Sequence, residues 1–262
     1  MCLIFVAYQH HTDYPLIIAA NRDEFYARPT APAAIWEDSP GILAGRDLKA
    51  MGTWLGVTAT GRFAAVTNVR EGSNSDAPQS RGDIVADFLR GGFTTDEYFE
   101  QLELSREKFN GYNLLAFDGV NLGYFSNCGH AQNPQLNSGL YGLSNGKLDE
   151  PWPKVAQGKI KFESVVSSST LNSDALISAM LDGTEAPDED LPDTGVGIEL
   201  ERRLAPMFIE SPNYGTRSTT VVMYSDDGQL EFVERSHAIA EQDPVTRRFQ
   251  FELPVGPELV SG

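Results

Sequence analysis

A cysteine follows the first methionine of the chain, and its position allows two interpretations. Methionine aminopeptidases generally remove Met1 when the next residue is small. Cys2 would then carry an α-amine, whose usual pKa is about 7.7–8.0, beside a thiol, whose usual pKa is about 8.5. Because that amine can take the thiol proton, Cys2 could act as a nucleophile without a histidine. The alternative is a buried residue that begins a strand, since free cysteine is among the most buried residue types.

A polar tetrad ends the second apolar run of the chain. Its members are Asn21, Arg22, Asp23 and Glu24. Residues 3–8 and 16–20 are apolar runs joined by a polar turn, which predicts a hairpin that returns the tetrad to the side of Cys2. There Asp23 or Glu24 could hold the protonated amine, and Arg22 could lower the thiol pKa or bind a carboxylate. The alternative is a turn with helix-capping residues.

Composition narrows the class of protein and of partner. The chain has 262 residues and a formal net charge of -17, which disfavours nucleic acid as a partner and suits a soluble protein. Only two cysteines are present, Cys2 and Cys128, so a disulfide framework is not expected. We therefore expect the protein to work in a reducing compartment, the cytoplasm. The first apolar run is too short for a signal core or a membrane span, so no membrane insertion is expected.

The elements that must position these residues are strands in hairpins, with helices between the groups. Strands are predicted at 3–8, 16–20, 53–57, 63–68, 112–117, 122–126, 139–144, 218–224, 230–234 and 247–253. Helices are predicted at 80–90, 95–104, 153–165, 173–181 and 198–207. This grouping favours α+β layers over a doubly wound parallel sheet. Residues 182–197 form an acidic surface loop within one predicted domain, 1–262.

Several short motifs resemble those of the NRDE-domain family, the family of transport and Golgi organization protein 2. They are MCLIF at 1–5, the tetrad followed by FYARP at 21–29, GRDL at 45–48, GTWLG at 52–56, VTN at 66–68, LSN at 143–145 and YGTRS at 214–218. The resemblance runs from residue 1 to roughly 234. It implies links with Golgi organisation, lipid metabolism and intracellular haem handling.

The layout is also similar to the N-terminal nucleophile hydrolases of the penicillin V acylase and bile salt hydrolase group. That resemblance implies a four-layer αββα sandwich of two antiparallel sheets, with Cys2 in the nucleophile position. The acylases carry an arginine and, three residues later, an aspartate. Alignment on Phe25 puts Asn21 and Glu24 at those positions, so Arg22 is displaced by one residue.

Three more residues correspond to acylase site residues. Asn68 resembles an asparagine near the oxyanion hole, and Asn145 resembles one that donates its amide to the oxyanion. A preorganised donor of this kind is worth about 3–4 kcal/mol in a transition state. Arg217 resembles a distal arginine of the acylase site. The alternatives are turn-forming residues for the two asparagines and a surface salt bridge for Arg217.

Two functions follow from these residues and resemblances. The first is an amidohydrolase or acylase in which Cys2 attacks an amide or thioester of a small molecule. The second is a carrier of haem or a lipid-like acyl ligand on the same scaffold, for which the candidate haem ligands are Cys2, His10, His11 and His130. No bound cofactor is expected. No metal site is expected either, because His10 and His11 have no His or Cys at ligand spacing nearby.

Overall fold

A computed structural model describes residues 2–70, 77–129, 135–238 and 243–254, and these contain twelve strands and five helices. The strands are β1 (Cys2–Tyr8), β2 (Leu16–Phe25), β3 (Thr30–Trp36), β4 (Ser39–Asp47), β5 (Leu55–Thr58), β6 (Phe63–Asn68), β7 (Tyr112–Phe117), β8 (Leu122–Ser126), β9 (Gly139–Leu143), β10 (Tyr214–Tyr224), β11 (Gln229–Ser236) and β12 (Val245–Glu252). The helices are α1 (Arg81–Arg90), α2 (Thr95–Glu103), α3 (Pro153–Val166), α4 (Ser173–Ala179) and α5 (Ile198–Leu204).

Two antiparallel sheets form the centre of the molecule. The first sheet has the strand order β12-β11-β10-β2-β1-β9, and the second has the order β3-β4-β5-β6-β7-β8. One apolar core fills the space between the sheets. A second core lies between the second sheet and α1 and α2, and a third lies between the first sheet and α3 and α4. The layer order is therefore αββα, as predicted.

The apolar run of β1 is continuous because both of its faces are covered. Ile4 and Val6 belong to the core between the sheets, whereas Leu3 and Phe5 belong to the core under α3 and α4. Alternate residues of a strand point to opposite faces, so a strand in the middle of four layers needs an apolar residue at every position.

The strands differ most from the sequence prediction in three places. Strand β10 begins at Tyr214, four residues before the predicted start, because its first residues pair with the end of β2. The second strand was predicted to end before the tetrad, but β2 continues through it to Phe25 because β10 pairs with it along that length. Strands β3 and β4 were not predicted, since Pro32, Pro40 and Gly41 read as turn residues. The proline in β3 is tolerated because β3 is an edge strand and its pairing with β4 is irregular there.

The helices begin and end close to the predicted residues. Ser80 caps α1 by accepting a hydrogen bond from Gly82 N, and Thr94 forms a capping box with Glu97 at the start of α2. Residues 182–197 lie between α4 and α5 and form a loop with one short 3-10 turn at Asp188–Asp190. Among the described residues, no helix has the length and apolar composition needed to cross a bilayer.

We expect Gly158→Ala in α3 to destabilise the protein by about 1–3 kcal/mol, because an added Cβ would overlap buried side chains. Its Cβ would lie 2.2 Å from Phe5 Cζ and 3.1 Å from Met207 Sδ. Helix propensity alone predicts the opposite sign, a gain of about 1 kcal/mol. Urea unfolding checks this, with Gly41→Ala as the control, since a Cβ there meets nothing within 4 Å. A stabilised Gly158→Ala variant would contradict the close contact between α3 and β1.

Candidate active site

The register of the first hairpin places the tetrad beside Cys2. Cys2 pairs with Arg22 across β1 and β2, and Leu3 pairs with Asn21. Since the tetrad is extended, its side chains alternate between the two faces of the sheet. Arg22 shares the face between the sheets with Cys2, and Asn21 and Asp23 lie on the face covered by helices. The predicted proximity is confirmed, but the tetrad belongs to a strand and does not form a turn.

Cys2 and Arg22 line a small cavity between the sheets, with Trp54 opposite them. The cavity has a volume of about 10 Å³, which is room for about one water molecule. The Arg22 guanidinium stacks on the Trp54 ring, with its carbon 4.0 Å from the ring centroid. Trp54 fits there because residue 45 is glycine: a Cβ on Gly45 would lie 2.3 Å from Trp54 Cη2.

The Cys2 thiol is almost fully enclosed, with 9% of the residue exposed. Burial raises the pKa of the Cys2 thiol above its usual value, although the charge of Arg22 acts in the opposite direction. The predicted effect of Arg22 on the thiol therefore has the expected sign but is outweighed by burial. In this closed form the thiol is protonated at neutral pH, so a nucleophilic role requires a base.

Asp23 lies behind Cys2, on the helix-covered face of β2. It is 1% exposed, and its Oδ1 accepts a hydrogen bond of 2.7 Å from Thr216 Oγ1. Burial raises the pKa of Asp23, and the positive charge of Lys154 is the largest opposing influence. Lys154, at the start of α3, is also buried, which lowers its pKa to about 8. The two residues thus compensate each other's charge inside the protein.

Asn21 connects β2 to the chain segments that follow α4 and α5. Its Nδ2 donates to the carbonyl oxygens of Met180 (2.9 Å) and Met207 (2.8 Å). Its Oδ1 accepts from Thr219 Oγ1 at 2.7 Å, and Thr219 Oγ1 also lies 2.8 Å from His237 Nε2. Because the single hydroxyl proton of Thr219 goes to Asn21, His237 must donate from Nε2. These contacts fix the position of β2 relative to the helix layer.

Glu24 and Arg217 lie at the rim of the site. Glu24 Oε1 accepts from its neighbour's backbone, Phe25 N, and Glu24 Oε2 is 3.7 Å from Arg28 Nε. Arg217 sits at an irregularity of β10 and donates from Nη1 to the oxygens of Phe25, Arg28 and Thr30. It therefore stabilises the corner between β2 and β3 through neutral oxygens, which differs from the surface salt bridge considered as its alternative.

Asn145 and Asn68 are hydrogen-bonded to each other close to the start of β1. Asn145 is fully buried, and its Nδ2 donates to Asn68 O at 2.8 Å. Its neighbour Ser144 donates from Oγ to Cys2 O at 3.3 Å. One amide hydrogen of Asn145 is thus used by the Asn68 carbonyl, and the other has no acceptor among the described residues. The oxyanion roles of both asparagines remain predictions.

Arg81 is a site residue that sequence reasoning missed. Ser80 caps α1, and the next residue is a half-buried arginine whose Nη1 donates to Gly111 O at 3.0 Å. Burial lowers the pKa of Arg81, and the nearby Cys2 thiolate would be the largest influence raising it. Arg81 comes near Cys2 because the loop before β5 lies against the start of α1, where Thr53 N donates to Gly82 O. No spacing in the sequence signals this contact.

The candidate haem ligands are separated from one another. His10 and His11 lie in the turn beyond Tyr8, the last paired residue of β1, which is itself about 20 Å from Cys2 at the usual rise of a strand. His11 packs against Tyr14 with ring centroids 5.3 Å apart. His130 lies outside the described residues. The described part of the chain contains no cluster of three or more His, Cys, Asp or Glu that could hold a metal.

The fold and site define a class: an αββα sandwich whose candidate nucleophile is a cysteine at the start of the first central strand. The chain belongs to the Transport and Golgi organisation 2 family, whose profile matches residues 1–238. It is 35% identical to the human Transport and Golgi organization protein 2 homolog over 97% of this chain and 99% of that protein. It is 28% identical to the Drosophila melanogaster protein of that name, over 90% and 92%.

Two solved structures also resemble the chain. One is a Caenorhabditis elegans ortholog of N-acylethanolamine-hydrolyzing acid amidase, with 10% identity, a TM-score of 0.49 and coverage of 84% of this chain and 92% of that chain. The other is a mutant conjugated bile acid hydrolase from Clostridium perfringens, with 8% identity, a TM-score of 0.40 and coverage of 98% and 99%.

We expect His237 to make the protein less stable as the pH falls from 6.5 towards 4. Burial, with a contribution from the charge of Arg235, lowers the pKa of His237 from 6.5 to about 4. The unfolded chain therefore takes up a proton that the folded chain does not, so stability is complete above pH 6.5 and is lost as the pH falls through 4.

Urea unfolding of the natural protein and of His237→Gln at pH 7 and pH 4.5 measures this effect. At pH 7 the natural protein should have a higher free energy of unfolding than His237→Gln. This difference should be smaller at pH 4.5 by on the order of 1 kcal/mol, after allowance for the partial exposure of the ring. The same advantage at both pH values would show that His237 is not held neutral by the fold.

Proposed function

We propose that the protein is an N-terminal cysteine amidohydrolase or acylase that acts on an amide or thioester bond of a small molecule. The observation that carries the proposal is the pairing of Cys2 with Arg22 beside a cavity between the sheets. The buried thiol of Cys2 is the nucleophile, and the guanidinium of Arg22 lies next to it. Asp23, on the opposite face of β2, supplies a carboxylate close to the start of β1.

The base in this proposal is the α-amine of Cys2 after removal of Met1. The amine takes the thiol proton, which is required because burial raises the pKa of the Cys2 thiol. Asp23 is the carboxylate suited to hold the resulting ammonium, since it lies on the strand that pairs with Cys2 and is fully enclosed. Lys154 favours the ionised form of Asp23 through its positive charge.

The reaction proceeds in two halves. The thiolate forms a bond to the carbonyl carbon, and the oxyanion is held by the free amide hydrogen of Asn145, with Asn68 positioning that amide through its carbonyl. The bond to the leaving nitrogen or sulfur then breaks, and the ammonium of Cys2 gives it a proton. Water attacks the acyl thioester, which releases the acid and restores the thiol.

The site would have to open before a substrate entered, because the cavity holds only about one water molecule. We propose that Trp54 moves to open it, because the indole stacks on the Arg22 guanidinium and lines the cavity opposite Cys2. We place the protein in a reducing compartment such as the cytoplasm, where Cys2 and Cys128 would remain free thiols. Its partner in this proposal is a small molecule.

Intact mass measurement tests the proposal. The native protein is weighed before and after reaction with an aryl thioester of octanoic acid. We expect a mass without Met1 and a single octanoyl adduct. Cys2→Ala should lose the adduct, whereas Cys128→Ala, the matched control for the other thiol, should keep it.

Two outcomes would contradict the proposed enzymatic function. Retained Met1 together with an unlabelled Cys2 would show that the amine and thiol do not act as proposed. Saturable binding of octanoyl thioester or haem without acyl transfer would favour the carrier of haem or a lipid-like acyl ligand on the same scaffold.

A further inference from the structure

The Arg22 guanidinium is buried beside the thiol and has no anionic partner within the described ranges of the chain. Arg22 is 5% exposed, and its Nη1 has no hydrogen-bond acceptor among the described residues. In the described part of the chain, no hydrogen bond or ion pair of the Arg22 guanidinium is found, and the guanidinium stacks on the Trp54 ring. A buried charge without a partner is costly, and buried polar groups are nearly always satisfied. In a chain with a net charge of -17, this exception indicates a ligand.

Stacking on tryptophan does not replace a partner in this fold, as Arg46 shows. The Arg46 guanidinium lies 3.9 Å from the centroid of the Trp36 ring, nearly the same distance as Arg22 from Trp54. Yet Arg46 also binds Asp38 with two nitrogens, at 2.6 and 2.7 Å. The Nε of Arg46 also has no acceptor among the described residues, but its two terminal nitrogens bind a carboxylate. Arg46 is therefore an ion-paired counterpart of Arg22, and the difference between them is that carboxylate.

The charges around Arg22 favour an anion. Arg81, at the start of α1, lies within electrostatic reach of Cys2, because a Cys2 thiolate would raise the pKa of its guanidinium. Burial lowers the pKa of Arg217, and the positive charge of Arg22 lowers it further. Arg28, also nearby, is neutralised by Asp47, which accepts from its Nε and Nη2. The carboxylate of Glu24 acts on Arg22, Arg81 and Arg217 and offsets part of their charge. Three guanidiniums against one carboxylate still leave an excess of positive charge at this end of the sandwich, which concentrates anions from solution.

We propose that the substrate carries a carboxylate next to its scissile bond and that Arg22, assisted by Arg81, binds this carboxylate beside the Cys2 thiol. The inference rests on the proposed function. Paired residues of an antiparallel ladder lie about 4.5–5.5 Å apart at Cα. A group bound by Arg22 is therefore within a few bonds of the carbon that Cys2 attacks. A guanidinium binds a planar carboxylate through two parallel hydrogen bonds.

The substrate class that fits is an N-acyl amino acid. Its α-carboxylate is two bonds from the amide nitrogen, and its acyl chain can extend away from the arginines. Hydrolysis breaks the carbon–nitrogen bond, gives the hydroxyl of water to the acyl group, and releases the amino acid with the remaining proton. The bound carboxylate leaves with the amino acid, so the acyl-enzyme keeps no anion at Arg22.

Matched substrates test the inference. Octanoate release is measured from N-octanoylglycine and from its uncharged counterpart N-octanoylglycinamide. Because a hydrogen bond to a charged group is strong, we expect kcat/KM to be about 10–100-fold higher for N-octanoylglycine.

Arg22→Gln should reduce this preference to about threefold or less, and Arg81→Gln should reduce it in part. Arg46→Gln, the control with the same stacking, should keep it. Equal cleavage of the two substrates by the natural protein would overturn the inference and leave the proposed function standing.

A second readout does not depend on hydrolysis. Alkylation of Cys2 by iodoacetate and by iodoacetamide, followed by mass spectrometry, compares an anionic reagent with a neutral one. We expect the iodoacetate to iodoacetamide rate ratio to fall about tenfold in Arg22→Gln and to be unchanged in Arg46→Gln. Arg22→Lys, which keeps the charge, should retain most of the ratio if the variant with glutamine is poorly folded. If the ratio falls in Arg22→Gln as expected but the natural protein releases no octanoate, the result would contradict the proposed hydrolysis and support the carboxylate site. An unchanged ratio in both Arg22 variants would overturn the site.

Discussion

The register between β1 and β2 is the constraint on which the site depends. Cys2 pairs with Arg22, so both side chains face the core between the sheets. A slip of one residue would exchange the faces and would put Asn21 or Asp23 beside the thiol. The slip is opposed from the helix layer, where Asn21 binds the carbonyls of Met180 and Met207, and from β10, where Thr216 binds Asp23. The polar residues on one face therefore hold the reactive residues on the other.

Buried charges join the distant segments around this hairpin. Arg70 and Glu201 form an ion pair of 2.5 Å with side chains 6% and 2% exposed. The backbone N of Arg70 donates to Asn145 O, so α5 is connected to the loop that carries the proposed oxyanion donor. A buried pair of this kind adds little net stability compared with apolar residues, but the loss of one partner is costly. Its role in this fold is to fix position, and the arrangement of Asn145 depends on it.

The sequence predicted the hairpin, the α+β layers and the proximity of Cys2 to the tetrad, because these follow from apolar runs and from the geometry of one turn. The αββα order of the layers was implied by the resemblance to the N-terminal nucleophile hydrolases. It did not predict that β2 runs through the tetrad, since four polar residues read as a turn when their partners in β10 are unknown. The alignment placed Arg22 one residue out of position, yet the pairing puts it directly opposite Cys2. Arg81 and Lys154 were missed because tertiary packing alone brings them near Cys2.

The closed cavity explains how the thiol and the guanidinium lie side by side although no described residue places an anion between them. Burial raises the pKa of Cys2 and lowers that of Arg22, so the thiol is neutral while the guanidinium, whose usual pKa is far above neutrality, stays charged. Trp54 covers that charge, and Gly45 leaves space for the indole. A carboxylate that displaced Trp54 would satisfy Arg22 and open the way to the thiol in the same movement. Ligand binding and exposure of the nucleophile are then one event, and a ligand without an anion would gain less from causing it.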